Sequence, residues 1–195
     1  MLMEGVLLAV IIGWVRGGRL ENILEFNLKG VSLIFFAMFI RFFTAGMSRS
    51  IDFFMVYGGG LQVLAYLLLF WAIWQNRDRR EIWLVGGGSF LNFIVIAANG
   101  GKMPVCPQAV HKAGLSLTET GTHVLLNETT RSKILADIIA LPPPYPLPMV
   151  ISLGDIILVL GVMLFVQQSM VGLAGKAGKA AGKAEKDKEL VFKNN

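Results

Sequence analysis

The sequence predicts an all-α fold: an integral membrane bundle of helices with five spans, the first of them short. Two observations carry this. Residues 53–76, 82–101 and 156–175 hold no charged side chain, and at about 1.5 Å of rise per residue roughly 20 residues cross a hydrocarbon core of about 30 Å. Only 16% of the 195 residues are charged and 54% are hydrophobic, against about 25% charged in a soluble domain. Disorder is excluded on the same grounds, because such a chain has ample apolar surface to bury.

Taken in chain order, residues 1–15 form the short first span. Glu4 precedes its apolar run and Arg16 and Arg19 follow it, the reverse of a secretion signal, so the segment is kept as an anchor. Residues 30–48 form a second span interrupted only by Arg41. Two of the uncharged runs supply the third and fourth, which places a four-helix membrane region in residues 1–98. The third run supplies a fifth helix over 149–171. The triple glycines at 58–60 and 86–88 lack the Lys-Ser/Thr signature of a phosphate loop and are read as close helix contacts. Gln62 and Asn92 lie within spans, where an amide needs a partner on a neighbouring helix.

Orientation follows from the distribution of Lys and Arg. One set of connections holds Arg16, Arg19, Lys29, Arg77, Arg79, Arg80, Lys176, Lys179, Lys183, Lys186, Lys188 and Lys193, twelve in all; the other holds at most six, with Arg41 included. The N-terminus is therefore expected outside and the C-terminus inside, in a bacterial plasma membrane. Trp71, Trp74 and Trp83 flank the arginine-rich turn, as an interfacial aromatic belt would. The net charge of +5 then falls wholly on the inner side.

Residues 99–148 form the extracytoplasmic segment. Asn127 is placed to cap a short amphipathic helix over 128–140, with Ile134, Leu135, Ile138 and Ile139 on one face. Pro142, Pro143 and Pro144 end it, and the proline run favours an extended connector back to the bilayer. Residues 172–195 are an Ala/Gly/Lys-rich cytoplasmic tail. Its lysines, Lys176 to Lys193, are expected on anionic lipid headgroups at about 1 kcal/mol each, in preference to nucleic acid, for which the tail offers no recognised fold.

Four stretches carry a resemblance: Asn99-Gly-Gly-Lys-Met-Pro-Val105, His123-Val-Leu-Leu, Leu135-Ala-Asp-Ile-Ile139 and Ser152-Leu-Gly-Asp155. In this order the sequence resembles an uncharacterised bacterial family of small multi-pass membrane proteins, a domain of unknown function, over about residues 1–170. The resemblance implies the architecture and supplies no activity or catalytic residue. The lysine tail lies outside it.

The expected topology gathers Glu4, Arg41, Asp52, Asn99, Lys102 and Asp155 in the outer half. Arg41 needs a carboxylate, with Asp52 and Glu4 preferred over Asp155, or a watery cavity, or else it snorkels to the outer headgroups. Arg41, Asn99, Lys102 and Asp155 are the candidate binding residues. Asp155 also completes a capping box with Ser152. A paired-carboxylate hydrolase would need Asp155 beside Asp52 or Glu4 with a shared water. Cys106, His111 and His123 are candidate metal ligands without a firm spacing. No dinucleotide, Walker or nucleophile motif is present, so no cofactor is expected.

The favoured function is a non-enzymatic accessory or ligand- and lipid-binding protein that presents its outer segment to an envelope component or membrane partner. The rival is a membrane-embedded hydrolase or small transporter built on the outer carboxylates and Arg41. Topology is tested in a Cys106→Ser background by Ser116→Cys and Gly178→Cys, labelled on intact cells with an impermeant thiol reagent. Labelling at 116 with protection at 178 is expected; the reverse pattern overturns the orientation.

Overall fold

The computed structural model describes residues 1–24, 28–116 and 120–172. The tail, with its lysines, lies outside the described residues. Two compact units divide the chain: Met1–Asn27 with Val162–Asn195, and Leu28–Gly161.

In the first unit, helix α1 (Leu2–Val15) buries Gly5, Ala9 and Gly13, one residue per turn, so a stripe of small residues gives it a close-packing face. Its end, Gly13 and Gly18, abuts Met170, which is fully buried. A short turn of helix, α2 (Glu21–Leu24), follows. Arg16 donates to Gln167 Oε1 at 2.9 Å and Asn22 donates to the Met170 carbonyl.

The second unit starts with a helical hairpin, α3 (Val31–Met47) and α4 (Asp52–Gln75), and continues into α5 (Arg80–Ala98). Helix α3 buries Ala37, Thr44 and Ser48; with Arg41 these recur every three or four residues, as one face of a helix must. That face meets α4. At the other end of the hairpin, Asn76 clamps the chain entering α3: its amide donates to Lys29 O at 2.7 Å and accepts from Lys29 N at 3.0 Å. Trp83 donates to Arg77 O at 2.9 Å while the Arg77 guanidinium covers the Trp74 ring at 4.9 Å, so aromatic and basic groups do share this turn.

Beyond α5 the chain leaves the helical class. Strand β1 (Met103–Val105) pairs in parallel with β2 (His123–Leu125), Met103 opposite His123. A short helix, α6 (Pro107–Lys112), lies between them, and β3 (Ile139–Leu141) pairs antiparallel with β4 (Met149–Ile151). The final helix, α7 (Leu153–Gly172), begins directly after β4. The protein is thus mostly helical, with two small sheets that correct the all-α expectation.

The helix expected over 128–140 is absent. A 3-10 turn at Lys133–Leu135 replaces it, preceded by Ser132 at φ 55°, a left-handed conformation that interrupts helical geometry. Asp137 then hydrogen-bonds as a strand: its N–H donates to Pro104 O at 3.0 Å and its carbonyl accepts from Cys106 N–H at 2.8 Å. The open edge of β1 captures a segment rich in Ile that suits a strand as well as a helix. Asn127 caps a turn, accepting from Thr129 N–H at 3.0 Å. The proline run forms the loop of the β3–β4 hairpin, closed by Tyr145 N–H to Pro142 O at 3.1 Å, instead of an extended connector.

Three helices are long and apolar enough to cross a membrane, α4, α5 and α7; α1 and α3 are shorter apolar helices. Glycines set the closest approaches. A Cβ on Gly88 would strike the Gly154 carbonyl and the Leu158 backbone, and one on Gly161 would strike Val85, so α5 and the start of α7 meet through small residues. Gly58 and Gly59 serve another purpose: a Cβ on either would collide with the backbone of Gly121 or of Gly100 and Gly101. Loops, not a helix, lie against them. Gly88→Ala is expected to cost about 1–3 kcal/mol by overpacking, read as a lower melting temperature in detergent. Gly87→Ala, which meets nothing within 4 Å, should be neutral or slightly stabilising. Equal losses at both positions would contradict this packing.

Candidate functional site

The polar residues of the Leu28–Gly161 unit converge where β4 turns into α7. Ser152 Oγ accepts from Asp155 N–H at 3.0 Å and Asp155 Oδ2 accepts from Ser152 N–H at 3.0 Å, a capping box that supplies partners for free N–H groups at the helix start. Asn92 of α5 closes the ring, accepting from the Ser152 hydroxyl at 2.8 Å and donating to Asp155 Oδ1 at 2.8 Å. Both Asp155 oxygens are therefore engaged, and the carboxylate is held in place across two helices.

Arg41 lies in the second half of α3. Its guanidinium stands over the Tyr66 ring, 4.7 Å from the centroid, and Tyr66 lies fourteen residues into α4, about 21 Å from its start. Side chains lean toward the N-terminus of their own helix, so on the two arms of the hairpin Arg41 and Tyr66 lean toward each other. No carboxylate among the described residues lies within 4.0 Å of Arg41. A cation–π contact contributes about 0.5–2 kcal/mol, less than the several kcal/mol that desolvating an unpaired charge costs. The guanidinium is left short of a counter-charge.

Around it lie groups drawn from the outer segment. His123 and Asp137 both feel the charge of Arg41 and that of Asp155. Burial, assisted by Arg41 and opposed by Asp155, lowers the His123 pKa from 6.5, so the imidazole is neutral; its Nδ1 is 2.8 Å from the Thr122 hydroxyl. Burial, reinforced by Asp155 and opposed by Arg41, raises the Asp137 carboxyl from 3.8 to about 8. Asp137 is 7% exposed, and its Oδ1 has no hydrogen-bond partner. Thr44 Oγ1, on the Arg41 face of α3, and Gln62 Oε1, one turn before Tyr66, are likewise buried without a partner.

The other expected site residues are placed elsewhere. Glu4 pairs with the N-terminal amine in the first unit, and Asp52 is exposed in the first turn of α4 and forms no ion pair with Arg41. Asn99 is a structural clamp, its amide donating to Val95 O at 2.7 Å and Arg131 O at 3.0 Å while its oxygen accepts from Arg131 N–H at 2.9 Å. Lys102 is half-buried next to β1. The Cys106 thiol donates to Gln108 at 3.0 Å and His111 is exposed on α6; among the described residues no three His, Cys, Asp or Glu side chains form a metal cage. Asp137, Tyr66 and Thr44 were not singled out as site residues from the sequence. For Asp137 a signal existed: one acid in the apolar run Ile134-Leu-Ala-Asp-Ile-Ile139 is costly unless it has work to do.

A model for a family of unknown function, DUF5317, matches residues 25–167. The chain belongs to DUF5317. That match takes in Arg41, Tyr66, Asn92, His123, Asp137, Ser152 and Asp155, and leaves out Glu4 and the lysine tail. A relative from Thermotoga maritima, itself an uncharacterised protein, is 27% identical over 165 residues, 85% of this chain and 89% of the relative. No solved structure matches the chain. The DUF5317 assignment brings no activity with it, so chemistry must come from the cluster.

A raised carboxyl pKa ties stability to pH. Because folding holds Asp137 as the neutral acid, the folded state keeps a proton that the unfolded chain has lost once pH exceeds 3.8. Its contribution is present below that value and is lost as pH climbs to about 8, by at most about 1.4 kcal/mol per pH unit. The wild type should melt lower at pH 8 than at pH 5 in nonionic detergent, and Asp137→Asn should flatten the difference. An unchanged slope in Asp137→Asn would refute the buried acid.

Proposed function

We propose that this DUF5317 protein is a non-enzymatic, five-span protein of the bacterial plasma membrane, N-outside and C-inside, that binds a small polar ligand or lipid headgroup at the Arg41 cluster beneath its outer segment. One observation carries the reading: Arg41, in the middle of an apolar helix, has no carboxylate of the described residues in ion-pairing range, while Thr44 on its own helix face and Asp137, which feels its charge, each hold a buried polar atom with no partner. An intramembrane charge in that position is a binding site by default. Support for the five spans is the run of apolar helices α1, α3, α4, α5 and α7, the short ones accommodated by local thinning or packing. Support for the orientation is the excess of Lys and Arg on one side. The tail lysines then meet the anionic inner leaflet, and the outer segment faces the envelope.

A carboxylate-pair hydrolase is the weaker reading, because Asp155 spends one oxygen on the helix cap and the other on Asn92 and Asp52 is exposed in the first turn of α4. Native mass spectrometry of protein purified from membranes in mild detergent decides between them. The wild type should carry a bound small molecule or lipid in defined stoichiometry, and Arg41→Gln should lose it while keeping its fold. Equal retention by the variant, or a wild type with nothing bound, would sink the binding reading. Turnover of a bound ester that persists in Arg41→Gln and disappears in Asp155→Asn would favour the hydrolase.

A further inference from the structure

We propose that Arg41, Thr44 and Asp137 bind a singly charged oxyanion, a carboxylate or a phosphodiester, with Asp137 as the carboxylic acid donating a hydrogen bond to it, so that anion and proton are taken up together. The inference rests on the Arg41 binding reading and names the class of ligand. A guanidinium is a planar fork of donors that matches an oxyanion, and no carboxylate of the described residues occupies that fork. Thr44, three residues after Arg41 on the same face of α3, is fully buried with a free hydroxyl, a donor within the same grip.

The charges decide against a cation. Arg41 from α3, Tyr66 from α4 and Asp155 from α7 interact electrostatically with Asp137, and His123 from β2 feels the same Arg41 and Asp155; α5 brings the neutral amide of Asn92 to Asp155, and Cys106, just after β1, pairs with the Asp137 backbone. Arg131 and Lys133, on Asp137's own segment, are exposed. With His123 neutral, Arg41 and Asp155 cancel, and Asp137 decides the net charge. If it ionised, the cluster would be negative and would repel an anion. As an acid it is neutral and offers a donor. Binding an anion beside it disfavours ionisation further, and linkage then requires that raising pH expel the anion.

Isothermal titration calorimetry on the full chain in a maltoside detergent stripped of phospholipid tests this, with sodium benzoate and dioctanoyl phosphatidylglycerol as separate probes between pH 6 and 9.5. Neither probe titrates in that range. The Kd should be flat below about pH 8, with no proton taken up, and weaken up to about tenfold per pH unit above it, where proton uptake on binding appears as a dependence on buffer ionisation heat. Asp137→Asn, whose amide still donates, should lose both the pH slope and the proton uptake above pH 8 at whatever affinity it retains; Arg41→Gln should lose at least about tenfold. Benzoate binding identifies a free acid as the source, and binding of the lipid alone identifies a headgroup. The wild-type pH profile needs no variant to fold: a flat profile, or neither probe binding, overturns the proposal. Should native mass spectrometry then find a neutral or cationic ligand, the binding reading survives and the oxyanion does not.

Discussion

The ring of Asn92, Ser152 and Asp155 is the joint on which the Leu28–Gly161 unit depends. A chain that passes from strand to membrane-length helix exposes free N–H groups at the change, where water is scarce. Ser152 and Asp155 serve two of them and Asn92 ties both side chains to α5. Gly154 makes that tie possible, since a Cβ there would strike the Asn92 amide. The start of α7, the end of β4 and the middle of α5 are thereby held at one point. The electrostatics of His123 and Asp137 are set against the Asp155 carboxyl.

Arg41 is the second constraint, because an ion in a low-dielectric setting must find a counter-charge, a polarisable surface or water. The hairpin provides a surface, the Tyr66 ring. It withholds direct contact with the fixed carboxylate. A full ion pair with Asp155 would neutralise both groups and leave a purely structural element. Spending one Asp155 oxygen on the cap and the other on Asn92 keeps the arginine available, and burying Asp137 as an acid prevents a second carboxylate from filling the place.

Much of this was legible in the sequence, and the part that was not has a physical cause. Uncharged runs of helical length gave α4, α5 and α7, and Ser152-Leu-Gly-Asp155 gave the capping box, because both signals are local. Arg41 was marked by being a charge within an apolar run. The outer segment was misread over 128–140, where an apolar face at helical spacing was real but the unpaired edge of β1 offered the backbone better partners at Pro104 and Cys106. That error hid Asp137 on a supposed polar face. Asp52, expected as a partner of Arg41, is exposed at the start of α4 while Arg41 meets Tyr66 fourteen residues further on, because proximity in an assumed topology does not fix which turn of a helix a side chain reaches.

Glycine explains why the outer segment can close over the cluster. Gly58 and Gly59 present bare backbone to Gly121 and to Gly100 and Gly101, so loops and α4 touch without side chains between them. One turn farther along the same face stands Gln62, and one turn beyond it Tyr66, both buried. A cover made of backbone contacts cannot be opened by swinging a rotamer; the loop must move as a unit from α4. Burial is the leading cause of the raised Asp137 pKa. Hydrating Asp137 would return its charge and set a second carboxylate beside Arg41 and Asp155.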